Sequence, residues 1–302
     1  MQGSLTDDAS TSPAARSTRA RRLLRDFMAD APFQPATNLW RAIEIPILAD
    51  ALPRSGRGLD VGCGDGVLTR LLARLADDSL AAGRWTLVGI DPDPAETALA
   101  EAEKFYAAVH TTGADRVPEP DASFDFAFAN SVLEHIPDLA PCLTEIGRCL
   151  KPGGEFFATV PSPGLHKLMR GPSFLRRISR TDYLAETDRR LLHFRYPSVD
   201  DWRTMLDAAG FDLVSARGYL TARQVARWER WTNCTGGLLY RLKGAKARPI
   251  EIQRQFGMRR AMPKPIKLLA GPLAWAAGRG VLDDDATDPN HTACLLVVGR
   301  RR

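Results

Sequence analysis

Three glycines, Gly62, Gly64 and Gly66, fall within LDVGCGDGVLTRLL (59–72), where an apolar run passes into helical spacing. Glycine at such a turn permits positive φ and close approach of the backbone to a ligand. The helix N-terminus behind it presents unpaired N–H groups. The spacing is GxGxG with Val67 beyond it, so the dinucleotide pattern GxGxxG is not met. Asp60, just ahead of the turn, would repel a pyrophosphate but suits an ammonium group, directly or through water. Asp91 ends WTLVGID (85–91), and a carboxylate at the tip of a second strand accepts hydrogen bonds from both hydroxyls of a ribose. The acidic turn GAD (113–115) can reach an adenine amino group. Together these residues describe a site for an adenine nucleoside that carries an amino acid. Cys63, inside the turn, reads as a small packed residue rather than a nucleophile.

A second set of residues could move protons. His135 follows Glu134 in NSVLEHIPD, and a base working near neutral pH is well served by imidazole. His193 and Tyr196, in LLHFRYPS, are rivals for that role, and His166 is a further candidate. A reaction with a strongly activated electrophile can also proceed by alignment alone, without a base.

These residues need a scaffold. GRGLDVG (56–62), WTLVGID (85–91), FDFAFAN (124–130) and GEFFATVPS (154–162) read as strands, with a short one within 107–114. Helical spacing covers 67–76, 94–106 and 139–150, the last stopped by Pro152 and Gly153. A helix over 200–210, a strand over 211–220 and a last strand over 292–300 follow. Strands alternating with helices imply an α/β fold with a parallel sheet covered on both faces.

LDVGCGDG, GIDPDP, DASFDFAFANSVLEHIPD, EIGRCLKPGGEFFATVPSP and LDAAGFDLV, in that order, resemble the class I S-adenosylmethionine-dependent methyltransferases. The likeness is to the type 11 methyltransferase domain family, which includes the quinone-biosynthesis methyltransferases, and covers about 56–162 and 196–220. It implies a Rossmann-like, seven-stranded, mostly parallel sheet with an antiparallel last strand, capped by helices from the insertions. It implies S-adenosylmethionine as cofactor and S-adenosylhomocysteine as product. By the same resemblance, Asp60, Gly62 and Gly64 lie against the methionine part, Asp91 holds the ribose, and Pro92 packs on the adenine. Ala114 and Asp115 bind the adenine edge, Asn130 contacts the methionine part through its backbone, and Leu133 and His135 line the methyl side. The extra residues DDSLAAGR between Asp60 and Asp91 are expected in a surface loop.

The subtype motifs narrow the substrate. NSVLEH is not the [DN]PP[YFW] signature of enzymes acting on nucleic-acid amino groups, and no paired-glutamate loop of the protein arginine type is present. No acidic cluster resembles the metal site of catechol-type enzymes, so no metal is expected. The implied activity is methyl transfer to O, N or C of a small molecule, anionic or natural-product-like, with secondary metabolism as its setting. Alternatives are a cyclase or lyase that releases methylthioadenosine, and a non-catalytic ligand-binding protein.

Composition agrees with a soluble globular chain. Of 302 residues, 44% are apolar and 25% charged, so disorder of the whole chain is not expected. No apolar run approaches the ~20 residues of a membrane span. The first 22 residues lack the apolar core of a secretory signal. Five cysteines with no CxxC pair fit a reducing cytosol and a cytoplasmic protein. The net charge of +5 is unevenly spread: 163–195 and 221–290 together carry 21 Lys/Arg and nine Asp/Glu, leaving the remainder at −7. A basic cap would attract an anionic or carrier-bound substrate, or dock on a membrane surface, while solvated helix faces would produce the same pattern. Nucleic acid is disfavoured for want of a binding module, and nothing in the sequence speaks to oligomeric state. The domain plan is a disordered tail over 1–30, a lid helix over 31–54, and a cofactor core over 55–162. A first cap insertion over 163–195, continued core over 196–220, a basic second insertion over 221–290 and a last strand over 291–302 follow. Trp228, Trp231, Tyr240 and Trp275 give the insertion aromatic surface; the resemblance implies that the segment with Phe33, Trp40 and Arg41 folds over the cofactor as a lid, where the sequence itself shows an amphipathic stretch around 38–50.

Overall fold

The computed structural model describes residues 12–76, 80–172, 178–235, 237–238 and 268–302. The chain divides into two compact units: Met1–Ile47 with Leu168–Leu192 and Leu220–Ala286, and Leu48–Lys167 with His193–Tyr219 and Thr287–Arg302.

The second unit is built on a sheet of β1 (Gly56–Val61), β2 (Trp85–Asp91), β3 (Tyr106–Thr111), β4 (Phe124–Asn130), β5 (Leu150–Pro161), β6 (Phe211–Thr221) and β7 (Thr292–Arg301). The strand order is β3-β2-β1-β4-β5-β7-β6. β1 pairs in parallel with both β2 and β4, β2 with β3, and β4 with β5, while β7 runs antiparallel to β5. This is the expected seven-stranded, mostly parallel architecture. The central strands read as continuous apolar runs because both faces are covered. Leu59, Val88, Ile90, Phe124 and Phe156 are buried with Ile146 of α5 (Leu139–Cys149) and Trp202 of α8 (Val199–Ala208). α3 (Val67–Leu75) buries Thr69, Leu72 and Ala73, the i, i+3, i+4 stripe of an amphipathic helix. The chain runs from β1 to β2 on one side and on to β4 on the other. That reversal opens a crevice at the C-terminal ends of the strands, where ligands of such sheets bind.

Several boundaries differ from the sequence reading: the strand expected over 154–162 is β5, which begins at Leu150 and contains Pro152 and Gly153. The helix expected over 94–106 is α4, Pro94–Ala102. Lys104 takes φ 59, which breaks the helix, and Tyr106 opens β3 instead. Pairing with β2 outweighs the helical spacing of EAEKFY. The tail expected to be disordered through residue 30 is helical from Pro13 as α1 (Pro13–Asp30). Ser12 caps it by accepting from the Ala15 N–H, and Ala20, Leu23, Leu24 and Met28 are buried at helical spacing.

Within the first unit, α1 packs on α10 (Ala270–Gly278). A Cβ on Gly278 would lie 2.7 Å from Leu282 Cδ1 and 2.9 Å from Leu24 Cδ2, so a larger residue there would push these leucine side chains aside. Ser17 Oγ donates to Asp283 at 2.6 Å, and Arg21 pairs with the same carboxylate. A shallow cavity of about 490 Å³ between these helices is lined by Arg22, Arg25, Arg279 and Trp275. Trp275 is 61% exposed and carries Arg279 over its ring at 4.7 Å. α2 (Pro35–Ala51) occupies the segment read as a lid; its Trp40 is buried edge-on against Trp228, and Arg41 pairs with Glu44. α7 (Arg180–Leu191) and α9 (Ala222–Cys234) meet at buried Glu229, which accepts from Tyr183 Oη and from the Arg170 and Gly171 N–H groups. Tyr240 and most of the basic stretch of the second insertion lie outside the described residues. No described helix is long and apolar enough to cross a membrane.

Candidate active site

The glycine turn after β1 is held to β2 by its backbone: the Gly62 and Cys63 N–H groups both donate to Ile90 O, at 2.8 and 3.0 Å. Gly62 and Gly64 take φ 74 and 54, the left-handed region that favours glycine. They answer to different surroundings. A Cβ on Gly62 would lie 2.5 Å from Val132 Cγ2, so this glycine makes room for the chain beyond β4. A Cβ on Gly64 would meet only Glu96 Oε2, at 3.9 Å, so the space beside it is open to a ligand.

Carboxylates surround this opening. Asp91, at the end of β2, accepts from the Gly64 N–H at 3.1 Å and the Asp93 N–H at 2.9 Å. It thereby ties the glycine turn to the start of α4. Burial pushes its pKa up, with Glu96 and Asp93 adding repulsion against the two stabilising N–H groups. Asp60 is 3% exposed. Its Oδ2 accepts from Thr69 Oγ1 at 2.6 Å and Tyr106 Oη at 2.5 Å. Desolvation raises its pKa from 3.8 to about 6, against the two hydroxyl donors and with a further push from Asp91. The Cys63 thiol is driven up by burial and by Asp60 and Asp91, which suits a packed side chain and not a nucleophile. Such a surround favours a cationic ligand.

The other residues that the resemblance assigns to the cofactor lie at or just beyond neighbouring strand ends. Pro92 is exposed after β2. Ala114 is partly buried against the core and Asp115 exposed, on a turn where Thr112 Oγ1 donates to Arg116 O at 2.7 Å. Asn130 ends β4 and spends its amide on Thr159 Oγ1 at 2.8 Å, while Ser131 takes φ 52 and donates its N–H to Thr159 O at 3.0 Å. The φ of 52 at Ser131 is a strained value for a residue other than glycine. Leu133, read as lining the methyl side, is 1% exposed and packed in the core.

The four proton-transfer candidates come together. His135 sits on the 3₁₀ turn Leu133–His135, with its ring centroid 5.2 Å from that of His193. His193 Nδ1 lies 3.1 Å from Tyr196 Oη, and the Tyr196 ring lies 4.2 Å from His166. The Phe194 N–H donates to Glu134 O at 2.8 Å, and Arg195 to Pro137 O, which clamps the two segments together. Val132, against Gly62, connects this cluster to the glycine turn.

Sequence reasoning missed Tyr106, Thr69 and Thr159. Thr69, one turn into α3, and Thr159, on β5 beside Asn130, were legible only as helix and strand residues. Tyr106 falls at the end of the helix that the spacing predicts over 94–106.

The family described as a methyltransferase domain matches residues 38–216. A ubiquinone biosynthesis O-methyltransferase of Methylobacterium nodulans is 28% identical over 176 residues, covering 56% of this chain and 65% of that protein. A dimethylglycine N-methyltransferase of Parasynechococcus marenigrum is 36% identical over 114 residues, 38% of this chain and 40% of that protein. The chain thus spans less than two thirds of the length of these two relatives. In fold it is similar to an S-adenosylmethionine-dependent methyltransferase of Thermotoga maritima, with a TM-score of 0.51 at 16% identity over 95% of this chain and 100% of the other.

Proposed function

Because the chain belongs to the methyltransferase domain family, we propose that it methylates an O, N or C atom of a small molecule at the expense of S-adenosylmethionine. The observation that supports this most is the convergence, at the C-terminal ends of the parallel strands, of an open glycine turn, buried carboxylates and a proton-transfer cluster. The residues fit the cofactor: the space beside Gly64 is open, and the charge around it is negative. Asp60 faces the ammonium end, Asp91 accepts from the ribose hydroxyls, and Pro92, Ala114 and Asp115 surround the adenine. When bound, the cofactor supplies an electrophilic sulfonium methyl and leaves as S-adenosylhomocysteine. His135, with His193 and Tyr196 behind it, takes the proton that an O–H or N–H acceptor gives up. The positive charge of 163–195 and 221–290 supports an anionic or carrier-bound acceptor.

The test supplies methyl-deuterated cofactor and a metabolite extract to the purified chain, with mass spectrometry as readout. A metabolite that gains a deuterated methyl, beside S-adenosylhomocysteine, bears the proposal out and identifies the acceptor. Conversion to methylthioadenosine with no labelled acceptor overturns it in favour of a cyclase or lyase.

A further inference from the structure

α10 turns small residues inward and leaves large apolar ones outside. Ala270, Ala274, Ala277 and Gly278 are buried. Pro272, Trp275 and Arg279, at helical spacing, are exposed together on another face, and Leu268 and Leu269 stand exposed just ahead of the helix, Leu268 by 79%. A folded chain gains by burying such side chains, and several of them grouped on one surface mark an interaction site. Arg22 and Arg25 of α1 line the cavity beside Trp275 together with Arg279. Among the described residues, none of these three arginines has a carboxylate partner. We propose that this face of α1 and α10 docks the protein on an anionic lipid bilayer, with Trp275 and Leu268 at the interface and Arg22, Arg25 and Arg279 on the lipid phosphates.

Three observations choose this occupant. Apolar side chains beside unpaired cations match a surface that sets negative headgroups over an apolar interior. Tryptophan favours that boundary, and the Trp275 ring carries the Arg279 guanidinium at 4.7 Å, so aromatic and cation reach the surface together. The charge of the surrounding chain has the matching sign: α1 carries five arginines and two aspartates, and residues 239–267, which lead into Leu268, contain nine Lys/Arg and one Glu. Of the acids that follow α10, Asp283 is taken up by Ser17 and Arg21, and Asp285 by Arg16. A second copy of the chain fits less well, because a two-fold contact would set these arginines against one another. Docking on lipid needs neither the cofactor nor methyl transfer, so the two readings fail separately.

The experiment sediments the full chain with vesicles of phosphatidylcholine and phosphatidylglycerol in equal parts, and with vesicles of phosphatidylcholine alone. The chain should partition onto the first, leave them as salt rises, and stay off the second. A basic residue at such a surface contributes a factor of about five, so Arg22→Gln with Arg25→Gln should lower the partition coefficient about 25-fold. Trp275→Ala should lower it about fivefold or more. All three side chains are exposed, and circular dichroism checks that each variant folds. Arg203→Gln with Arg300→Gln removes the same charge from surface ion pairs elsewhere and should leave partition unchanged. Failure to bind the anionic vesicles overturns the proposal, and so does a loss that this control shares. Binding that survives both the arginine pair and Trp275→Ala overturns it by assigning the docking to another surface. A dimer that Trp275→Ala dissociates, with no vesicle binding, overturns it in favour of a second copy of the chain.

Discussion

If Asp60 faces the cofactor's ammonium group, cofactor affinity must follow the ionisation of Asp60. Burial holds this carboxyl at about 6 in the free protein, against an ordinary 3.8. An ammonium group needs the ionised form, so binding below pH 6 must first expel a proton. About nine-tenths of the carboxyl is ionised at pH 7 and about one-tenth at pH 5, so affinity should fall about tenfold between them, or about 1.4 kcal/mol. The cofactor's own ammonium keeps its proton throughout that range. Asp60→Asn should bind weakly and lose most of this pH dependence. Tyr106→Phe removes a donor that lowers the Asp60 pKa, so its midpoint should move to higher pH. Stability runs the opposite way. The folded state holds the Asp60 proton more tightly than the unfolded chain, so stability is lost as pH rises through the window from 3.8 to about 6. Taking that pKa difference at face value, the loss is about 3 kcal/mol. Asp60→Asn should therefore melt above the parent at pH 7.5 and match it near pH 4. Calorimetric titration with S-adenosylmethionine at pH 5 and 7, with thermal melts across pH 4–7.5, reads both effects. Equal affinity at the two pH values, or an undiminished drop in Asp60→Asn, would refute the reasoning.

Asp91→Ala removes the ribose acceptor and also frees the Gly64 and Asp93 N–H groups; cofactor binding should weaken by about 1–3 kcal/mol, and unchanged calorimetric affinity would sink the assignment. Gly64→Ala and Gly83→Ala both place alanine at positive φ, 54 and 65, with a strain of about 1–2 kcal/mol each. Only the first puts its Cβ into the proposed cofactor space, so only it should lower cofactor affinity tenfold or more; equal effects on binding would count against the cradle. Arg148 bonds Glu145, Asp121 and the carbonyls of Val117 and Glu119. Arg148→Ala should cost about 1–3 kcal/mol in urea unfolding while leaving cofactor affinity near that of the parent, and a binding defect without a stability loss would contradict this structural role.

The sheet was legible in the sequence because its inner strands are buried on both faces. FDFAFAN and WTLVGID have few other uses, and the glycines after LDV leave little doubt about the turn. Asp91 was legible for the same reason: a strand end with a carboxylate is a local event. The helix over residues 13–30 carried a readable signal in Ser12, Pro13 and the spacing of Ala20, Leu23, Leu24 and Met28, but its arginines and polar residues resemble a solvated tail. Only packing against α10 distinguishes the two.

Local pattern therefore determined the α/β class, the glycine turn and the acids at the strand ends, since each depends on a few adjacent residues. Tertiary structure decided what sequence spacing does not carry. Pairing of β3 with β2 turned Tyr106 from a helix end into a donor to Asp60, and thereby helped to set how far that buried carboxyl is perturbed. Folding of distant segments onto the turn after β4 made His135, His193, Tyr196 and His166 neighbours, although the sequence offers them only as rivals. The reason is physical: hydrogen-bonded turns and apolar periodicity are short-range, whereas desolvation and the meeting of side chains from separate segments exist only once the core has closed.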